Sequence, residues 1–247
     1  AGARVTVGVS PHAPYTVSGA LYEAVARWAA CADLPIAVHV AESPAESELL
    51  DGGNGAFADA WRERGIAPPA GPGRSPVAWL DAHGVLGPRT LCIHAVRVDR
   101  ADIERLAATA SSVAHCPLSN RAHGHGDAPL RAILDAGVPV GVGTDSVASV
   151  GRLDLLAEVR AARSLAGLDA LGALALCTTG AARALHLEGA GALAPGQWGD
   201  CAVVKLNGEE PDPAERVLAG EPGGIVATFI GGSDVYRAHG AATTALR

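Results

Sequence analysis

Methionine is absent from the 247 residues, and no apolar run approaches the roughly 20 residues that a helix needs to cross a bilayer. The chain does not open with a charged segment followed by an apolar one, the pattern of a signal peptide. The missing methionine predicts that the sequence begins downstream of its start codon, inside a longer gene product. The missing apolar run predicts that a membrane is not a partner.

Cysteine pairs of the form Cys-x-x-Cys are also missing. The five cysteines are scattered along the chain, at Cys31, Cys92, Cys116, Cys177 and Cys201. An odd number of widely spaced cysteines disfavours a disulfide framework and a cysteine-based zinc site. This pattern predicts reduced thiols in a cytoplasmic protein.

Positive charge is in short supply, because the formal net charge is −7. An acidic balance argues against nucleic acid or an anionic membrane as the main partner. Hydrophobic residues make up 49% of the chain and charged residues 18%, which predicts a sizeable core. The length suits one large α/β domain, or one domain with a small appendage.

Short apolar runs rich in β-branched residues alternate with helical stretches over residues 1–187. This alternation predicts an α/β fold with a parallel sheet and right-handed crossovers. The predicted strands cover residues 5–10, 36–41, 90–95, 111–116 and 140–143. A closed parallel barrel usually has eight strands, so either the sheet is open or three units are missing from the front of the chain.

Helices are predicted in most of the segments between these strands. They cover residues 18–32, 45–50, 53–64, 76–83, 100–109, 130–136, 154–165, 168–177 and 180–187, with surface loops at 67–73 and 117–126. Residues 188–247 break the alternation, and short runs at 201–206, 225–230 and 234–237 predict a small antiparallel β domain. The predicted domains are therefore 1–187 and 188–247.

Polar residues suited to chemistry follow every predicted strand of the first domain. They are His12, then His39 and Glu42, then His94, then His115 with Ser119 and Asn120, and finally Asp145. In parallel α/β proteins, ligands and catalytic groups gather at the carboxyl ends of the strands. A neutral imidazole there can bind a metal, and a carboxylate can transfer protons.

Each of these residues also has an ordinary explanation. His39 and His115 can be core histidines bonded to backbone carbonyls. Glu42 and Asp145 can be carboxylates at the starts of helices. Five successive strand ends that carry a histidine or an acid nevertheless favour a site over packing. The other histidines are assigned to surface or loop positions: His83, His123, His125, His186 and His239. Of these, His123 and His125 lie in a loop beside the site.

The strand ends carry the motifs Pro11-His12-Ala13-Pro14-Tyr15, His39-Val40-Ala41-Glu42, Ile93-His94-Ala95, His115-Cys116-Pro117-Leu118-Ser119-Asn120 and Gly143-Thr144-Asp145-Ser146. In order and spacing this set resembles the amidohydrolase superfamily. It is most similar to the branch of adenosine- and S-adenosylhomocysteine-type deaminases, aminodeoxyfutalosine deaminase and chlorohydrolase-like enzymes. The resemblance covers residues 5–187, and residues 191–200 resemble the returning half of the family's small β-sandwich.

The resemblance implies a TIM (β/α)₈ barrel of which this chain holds the C-terminal five βα units, plus part of the sandwich. It also implies one divalent metal, usually zinc, with iron as an alternative. His39 and Asp145 would bind that metal, and with His94 they would converge closely enough to share one ion. Glu42 would be the proton shuttle, His94 would orient the nucleophile or the substrate, and Asp145 would accept a proton. The substrate pocket would include His12, His115, Ser119 and Asn120.

One departure from the family pattern concerns the first part of the metal site. The family carries a His-x-His pair before the strand of His39, and here the one such pair is His123-Gly124-His125, in a different loop. A zinc site needs three or four protein ligands. We therefore expect the C-terminal portion of a longer enzyme, paired with its missing N-terminal barrel half or with further copies of itself.

The resulting functional hypothesis is hydrolysis of a C–N bond. A metal-bound hydroxide would deaminate an aminopurine nucleoside-like substrate, with aminodeoxyfutalosine favoured. Two alternatives stay open from the residues alone. The chain could act on an s-triazine or guanine-type ring as an aminohydrolase or chlorohydrolase, or it could be a non-catalytic fragment that binds its missing half.

Overall fold

The computed structural model describes residues 5–68, 73–206, 209–220 and 224–238. It shows an α/β fold in which a parallel sheet has the order β1-β2-β3-β4 and an antiparallel sheet has the order β5-β6-β7. The strands are β1 Ile36–Val40, β2 Thr90–His94, β3 Ser112–His115, β4 Val140–Val142, β5 Cys201–Val204, β6 Ile225–Ile230 and β7 Ser233–Arg237. The predicted α/β class with a parallel sheet is confirmed.

Helices connect the parallel strands and cover the sheet. They are α1 Gly19–Cys31, α2 Pro44–Gly52, α3 Gly55–Glu63, α4 Pro76–Ala82, α5 Arg100–Ala108, α6 Pro117–Ala122, α7 Leu130–Asp135, α8 Val147–Val150, α9 Leu155–Ala166, α10 Ala170–Ala175, α11 Thr179–Ala184 and α12 Pro213–Leu218. In the described part of the chain, none of these helices has the length and apolar character that a membrane span requires.

Side-chain caps mark the starts of several of these helices. The Ser18 hydroxyl accepts the backbone N–H of Leu21 at the start of α1, and Ser43 does the same for Glu46 in α2. Each cap satisfies one of the backbone donors that a helix leaves unpaired at its N-terminus. The predicted helices at residues 18–32 and 45–50 are confirmed, and the caps explain where they begin.

The predicted strand over residues 5–10 is wrong. Val9 forms an isolated parallel bridge to Ile36, and the other residues of the segment form no strand. Val5 and Val7 are 78% and 68% exposed. Since a strand of this kind is stabilised by packing on its faces, the segment lacks what it would need to become one.

The predicted loop over residues 117–126 is also partly wrong, because α6 occupies its first half. Pro117 stands in the first turn of α6, where its missing N–H costs nothing. Two further short helices, α8 and α12, were not predicted either. Parts of the predicted loop 67–73 and the predicted surface position of His239 lie outside the described residues.

The core lies on both faces of the parallel sheet. Val38, Cys92 and Val113 from the strands are fully buried and belong to one cluster with residues from the surrounding helices, such as Leu106 and Ile133. Near-continuous apolar strands are expected when helices cover both faces of a parallel sheet. The same packing leaves the polar residues to the strand ends.

The antiparallel sheet β5-β6-β7 agrees with the predicted strands of the small β domain. Helix α12 precedes β6 and packs against α9 and α10. Glu215 accepts two hydrogen bonds from the guanidinium of Arg163 in α9, at 2.7 and 2.6 Å. The division of the chain at residue 187 stays a prediction.

Candidate active site

The parallel register brings the predicted site residues to one edge of the sheet. Val40 is paired with His94, and His115 is paired with Val142, so β1 to β4 all end at this edge. The backbone N–H of His39 donates to the carbonyl oxygen of His12 at 2.9 Å, which brings the loop of His12 to the same place. The edge therefore gathers residues from five separate segments.

His39 has one ring nitrogen engaged and one free. Its Nδ1 lies 2.9 Å from the carbonyl oxygen of His12. Because a carbonyl oxygen can only accept, Nδ1 is the donor of this bond, and in a neutral ring that leaves the lone pair on Nε2. The rings of His12 and His94 lie 5.1 and 5.5 Å from it, centroid to centroid.

His94 and His115 also have their Nδ1 atoms engaged in hydrogen bonds. His94 Nδ1 donates to Asn120 Oδ1 at 2.9 Å, and His115 Nδ1 donates to the carbonyl oxygen of His94 at 3.0 Å. Burial lowers the pKa of His94, although the charge of Glu42 and the bond to Asn120 oppose the shift. Burial also lowers the pKa of His115 to about 4. Both rings are therefore neutral near pH 7, with bare Nε2 atoms.

Glu42 is surrounded by three polar side chains. Its Oε1 lies 3.5 Å from His94 Nε2 and 3.5 Å from His125 Nδ1. Its Oε2 accepts a hydrogen bond from the Tyr15 hydroxyl at 3.3 Å. The side chain is 14% exposed, so the carboxylate is shielded but still open to a small molecule at the sheet edge.

Glu46 holds the backbone at Glu42 in place through hydrogen bonds. Its carboxylate accepts the backbone N–H of Ala41 at 3.0 Å and that of Glu42 at 2.8 Å. Burial raises the pKa of Glu46 to about 7, although these two hydrogen bonds act in the opposite direction. The backbone that carries Glu42 is therefore fixed by a buried side chain in the first turn of α2.

Asp145 is held by two hydroxyls. Ser119 donates to its Oδ2 at 2.6 Å and Ser149 donates to the same atom at 2.9 Å. Burial raises the pKa of Asp145, but the hydrogen bonds from these serines and from the N–H of Ser146, with the nearby His94, lower it more. The net pKa lies below the usual range, so Asp145 is ionised at neutral pH.

Backbone strain is concentrated at the same edge. Ala41, His94 and Asp145 have φ angles of 53°, 76° and 55°, in the left-handed region that non-glycine residues rarely adopt. Each such residue costs on the order of 1–3 kcal/mol and persists where the surroundings impose it. Strain at three strand ends of one sheet is a mark of a functional site.

A family model described as "Amidohydrolase family" matches residues 1–235. The chain belongs to the amidohydrolase family.

Individual relatives of this amidohydrolase chain are deaminases by name. It is 36% identical over 227 residues to "5-methylthioadenosine/S-adenosylhomocysteine deaminase" of Pelotomaculum thermopropionicum, covering 89% of this chain and 48% of that protein. It is 39% identical over 175 residues to "Aminodeoxyfutalosine deaminase" of Deinococcus radiodurans, covering 66% of this chain and 41% of that protein. The chain spans about half the length of the curated relatives it matches.

Among solved structures, the fold is similar to an adenosine deaminase from Xanthomonas campestris with bound zinc. The TM-score is 0.75 and the identity 31%, over 92% of this chain and 51% of the other. The amidohydrolase superfamily resemblance inferred from the strand-end motifs is confirmed.

The donor chemistry of the amidohydrolase site suits a divalent metal. His39 has the arrangement of a metal-binding imidazole, with Nδ1–H on a backbone carbonyl and Nε2 free. Asp145 is an ionised carboxylate that follows β4 at the same edge of the sheet. Within residues 5–68, 73–206, 209–220 and 224–238, however, no group of three or more such side chains is placed to hold an ion.

The structure places His39, His94 and Asp145 at the same edge of the parallel sheet, as expected. That the three side chains share one ion stays a prediction. His94 is tied to Asn120 and faces Glu42, and the carboxylate of Asp145 is held by serines.

The four predicted pocket residues occupy two different settings. His12 is exposed and its Nδ1 contacts the Thr16 hydroxyl at 2.7 Å. His115, Ser119 and Asn120 are buried, and they contact the catalytic candidates instead of presenting polar atoms to solvent. Their roles in substrate binding stay predictions.

The sequence-based prediction missed three residues that contact Glu42 or its backbone. Tyr15 lay in a recognised motif without a role, and His125 was assigned to a loop. Glu46 had a sequence signal, because Ser43 followed three residues later by a glutamate is the signature of a capping box. No local sequence pattern predicts that the loop of His125 folds back onto Glu42.

Proposed function

We propose that the amidohydrolase containing this chain hydrolytically deaminates an aminopurine nucleoside-like molecule, with aminodeoxyfutalosine as the favoured substrate. The observation that carries the proposal is the shielded Glu42 carboxylate, placed 3.5 Å from the neutral His94 at the strand ends. The names of the similar deaminases support the substrate class. Their shared reaction replaces an exocyclic amino group on a ring by oxygen.

A divalent metal, with zinc favoured and iron as an alternative, would be held in part by His39 and Asp145. The remaining ligands would come from the rest of the full-length protein. When bound, such an ion makes water a nucleophile at neutral pH and polarises the bond under attack. The zinc in the similar adenosine deaminase supports this choice.

The residues of this chain then have separable tasks. Glu42 takes a proton from the attacking water and delivers it to the ring nitrogen next to the reacting carbon. The water oxygen bonds to that carbon, the bond to the amino nitrogen breaks, and ammonia leaves. Asp145 is ionised and accepts the second proton of the water, which it passes to the departing nitrogen. His94 is neutral and orients the nucleophile.

The fold around these residues is proposed to be the C-terminal five βα units of a (β/α)₈ barrel, with residues 188–247 as part of a small β-sandwich. The four-stranded parallel sheet supports this proposal. Val9 adds a parallel bridge to Ile36 at the outer edge of β1, where the preceding barrel strand would pair. A cytoplasmic location is proposed from the scattered cysteines, none of which forms a disulfide among the described residues.

The test is a substrate screen with the full-length gene product. Purified protein loaded with zinc is incubated with aminodeoxyfutalosine, methylthioadenosine, S-adenosylhomocysteine, adenosine and guanine, and ammonia release is measured. We expect turnover on the adenine-bearing compounds, highest on aminodeoxyfutalosine. Turnover confined to guanine would contradict the substrate class, and no ammonia from any of the five compounds would contradict deamination.

A further inference from the structure

His125 has a buried ring nitrogen that nothing in the described residues satisfies. Its Nδ1 is shielded from solvent and makes no hydrogen bond within the described part of the chain. Oε1 of Glu42 lies 3.5 Å from this nitrogen. A buried donor without an acceptor is costly, so closing this gap by a small side-chain rotation is favourable. Catalytic hydrogen bonds are often long before substrate binds and tighten in the complex.

The other ring beside Oε1 of Glu42 belongs to His94, and its Nδ1 is already engaged. His94 Nδ1 donates to Asn120 Oδ1 at 2.9 Å. With the proton on Nδ1, a neutral imidazole has only a lone pair on Nε2, the atom that lies 3.5 Å from Oε1. His125 is therefore the ring whose Nδ1 is available to Oε1, because that atom has no hydrogen-bond partner within the described residues.

The loop that carries His125 is built to hold the ring in this place. The backbone N–H of His125 donates to the carbonyl oxygen of Asn120 at 2.8 Å, directly after α6. Gly124 and Gly126 flank it with φ angles of 70° and 95°, which glycine adopts without strain. The ion pair of Arg121 with Asp127, at 2.7 Å, joins the two ends of the loop.

We propose that His125 is a positioning residue for Glu42, donating its Nδ1–H to Oε1 while Tyr15 donates to Oε2. The inference rests on the proposed function, because it assigns His125 a part in the proton transfer by Glu42. Two donors from separate loops fix the plane of the carboxylate and aim its remaining lone pairs at the substrate. The charged and titratable groups that face Glu42 are then Tyr15, His94, His125 and, through the backbone, Glu46.

The test uses the full-length enzyme and three loop variants. His125→Phe keeps an aromatic ring but removes the donor. His125→Asn keeps a donor at the position of Nδ1. His123→Phe is the matched control, because His123 is exposed in the same loop and its ring lies beside that of His125. Each variant is measured for kcat, KM, the pH profile of kcat, zinc content and thermal stability.

We expect His125→Phe to lower kcat about 10- to 100-fold, the range for loss of one hydrogen bond to a charged group, with KM and zinc content unchanged. The acidic limb of the kcat profile should move to higher pH, because the Glu42 carboxylate loses a donor that stabilises its charged form. His125→Asn should recover most of the activity and the original limb. His123→Phe should resemble the wild type.

Two kinetic results would overturn the inference. One is unchanged kcat and pH profile in His125→Phe. The other is an equal loss in the Phe and Asn variants with a lower thermal stability, which would mark a structural role alone. Glu42→Gln separates this failure from that of the proposed function. If Glu42→Gln is inactive while His125→Phe is fully active, only the role of His125 is lost; if Glu42→Gln keeps full turnover, the proposed function itself is lost.

A measurement without substrate completes the design. Nitrogen-15 NMR of histidine-labelled full-length protein, assigned with the His125→Phe variant, reports which ring nitrogen of His125 carries the proton. We expect the proton on Nδ1, with a resonance that shifts in Glu42→Gln. A proton on Nε2 alone would overturn the inference, and this result does not depend on knowing the substrate.

Discussion

Glu42 is the residue whose contacts bear most directly on the proposed proton transfer. Its side chain is 14% exposed, and its Oε1 lies 3.5 Å from Nε2 of His94. The Tyr15 hydroxyl donates to Oε2 at 3.3 Å. A carboxylate held in this way at the edge of the sheet is suited to accepting a proton in one step and donating it in the next.

Replacing Glu42 by Gln in the full-length enzyme should therefore abolish most turnover. Loss of a general acid–base group typically costs about 10² to 10⁴ in rate. Zinc content should stay the same, because Glu42 is assigned to proton transfer and not to metal binding. The matched control is Glu48→Gln, an exposed glutamate on α2, which should keep full activity. Unchanged turnover in Glu42→Gln, or loss of zinc, would show that its role is assigned wrongly.

Glu46 should give the protein a measurable pH dependence of stability. Burial raises its pKa from the ordinary value of 4.5 to about 7 in the folded state. Below pH 4.5 the carboxyl is protonated in both states, and its contribution to stability is fully present. As the pH rises through 7, the unfolded state releases the proton more readily, so this contribution is lost.

The expected loss from Glu46 is about 3 kcal/mol between pH 4.5 and pH 8, at 1.36 kcal/mol for each pKa unit. Urea unfolding of the wild type and of Glu46→Gln at a series of pH values measures it. The free energy of unfolding of the wild type should fall relative to that of the variant over this range. A constant difference between the two proteins would contradict the prediction, and the exposed Glu48→Gln variant should track the wild type.

At the scale of the element, the packing of α11 on β4 depends on a close approach between the backbones of Gly141 and Ala181. A Cβ added at Gly141 in β4 would lie 2.8 Å from the Cα of Ala181 in α11, a distance that real contacts do not tolerate. Gly141→Ala should therefore lower the free energy of unfolding by about 1–3 kcal/mol, as overpacking does. Urea unfolding of the full-length protein is the measurement.

The matched control for Gly141 is Gly87→Ala. An added Cβ at Gly87 meets nothing within 4 Å, and the backbone there is not left-handed. Its effect should stay within about 0.5 kcal/mol. Equal stabilities for the two variants would show that β4 and α11 can move apart at little cost.

Elements with a local signal were predictable, and elements decided by distant contacts were not. The cap at Ser18 and the apolar run of β1 mark their elements within a few residues. The segment at Val5 has the same composition as a strand, but whether it forms one depends on a neighbour that the composition does not reveal. Helix α6 is short and begins at a proline, so its six residues resemble a turn.

The site was predictable to the same extent. His39, His94 and Asp145 follow apolar strands, and parallel pairing then places them at one edge whatever the details of the loops. The contacts of Glu42 with Tyr15 and His125 join residues 27 and 83 positions apart in the sequence. Such contacts depend on how the loops fold over the edge, and periodicity carries no information about that.

At the scale of the whole molecule, the parallel sheet has unfinished edges in the part of the chain that the structure describes. Beyond β4 no further strand of the sheet follows, and the segment at Val5 and Val7 lies outside β1 with both valines exposed. Parallel sheets are normally covered on both faces and extended on both sides. Exposed apolar surface costs about 25 cal/mol per Å², which favours a partner that covers it.

We therefore expect residues 1–247 alone to be inactive as a deaminase and poorly behaved as a monomer. The described residues give two assigned metal ligands, His39 and Asp145, which are too few for a tight zinc site. The isolated chain should self-associate or aggregate in sedimentation velocity, and it should release no ammonia from aminopurines. Adding the remaining N-terminal segment of the gene product as a separate chain should restore zinc binding and turnover, because it would cover the open edges and complete the ligand set. A stable 247-residue monomer that binds zinc stoichiometrically and turns over substrate would refute this expectation.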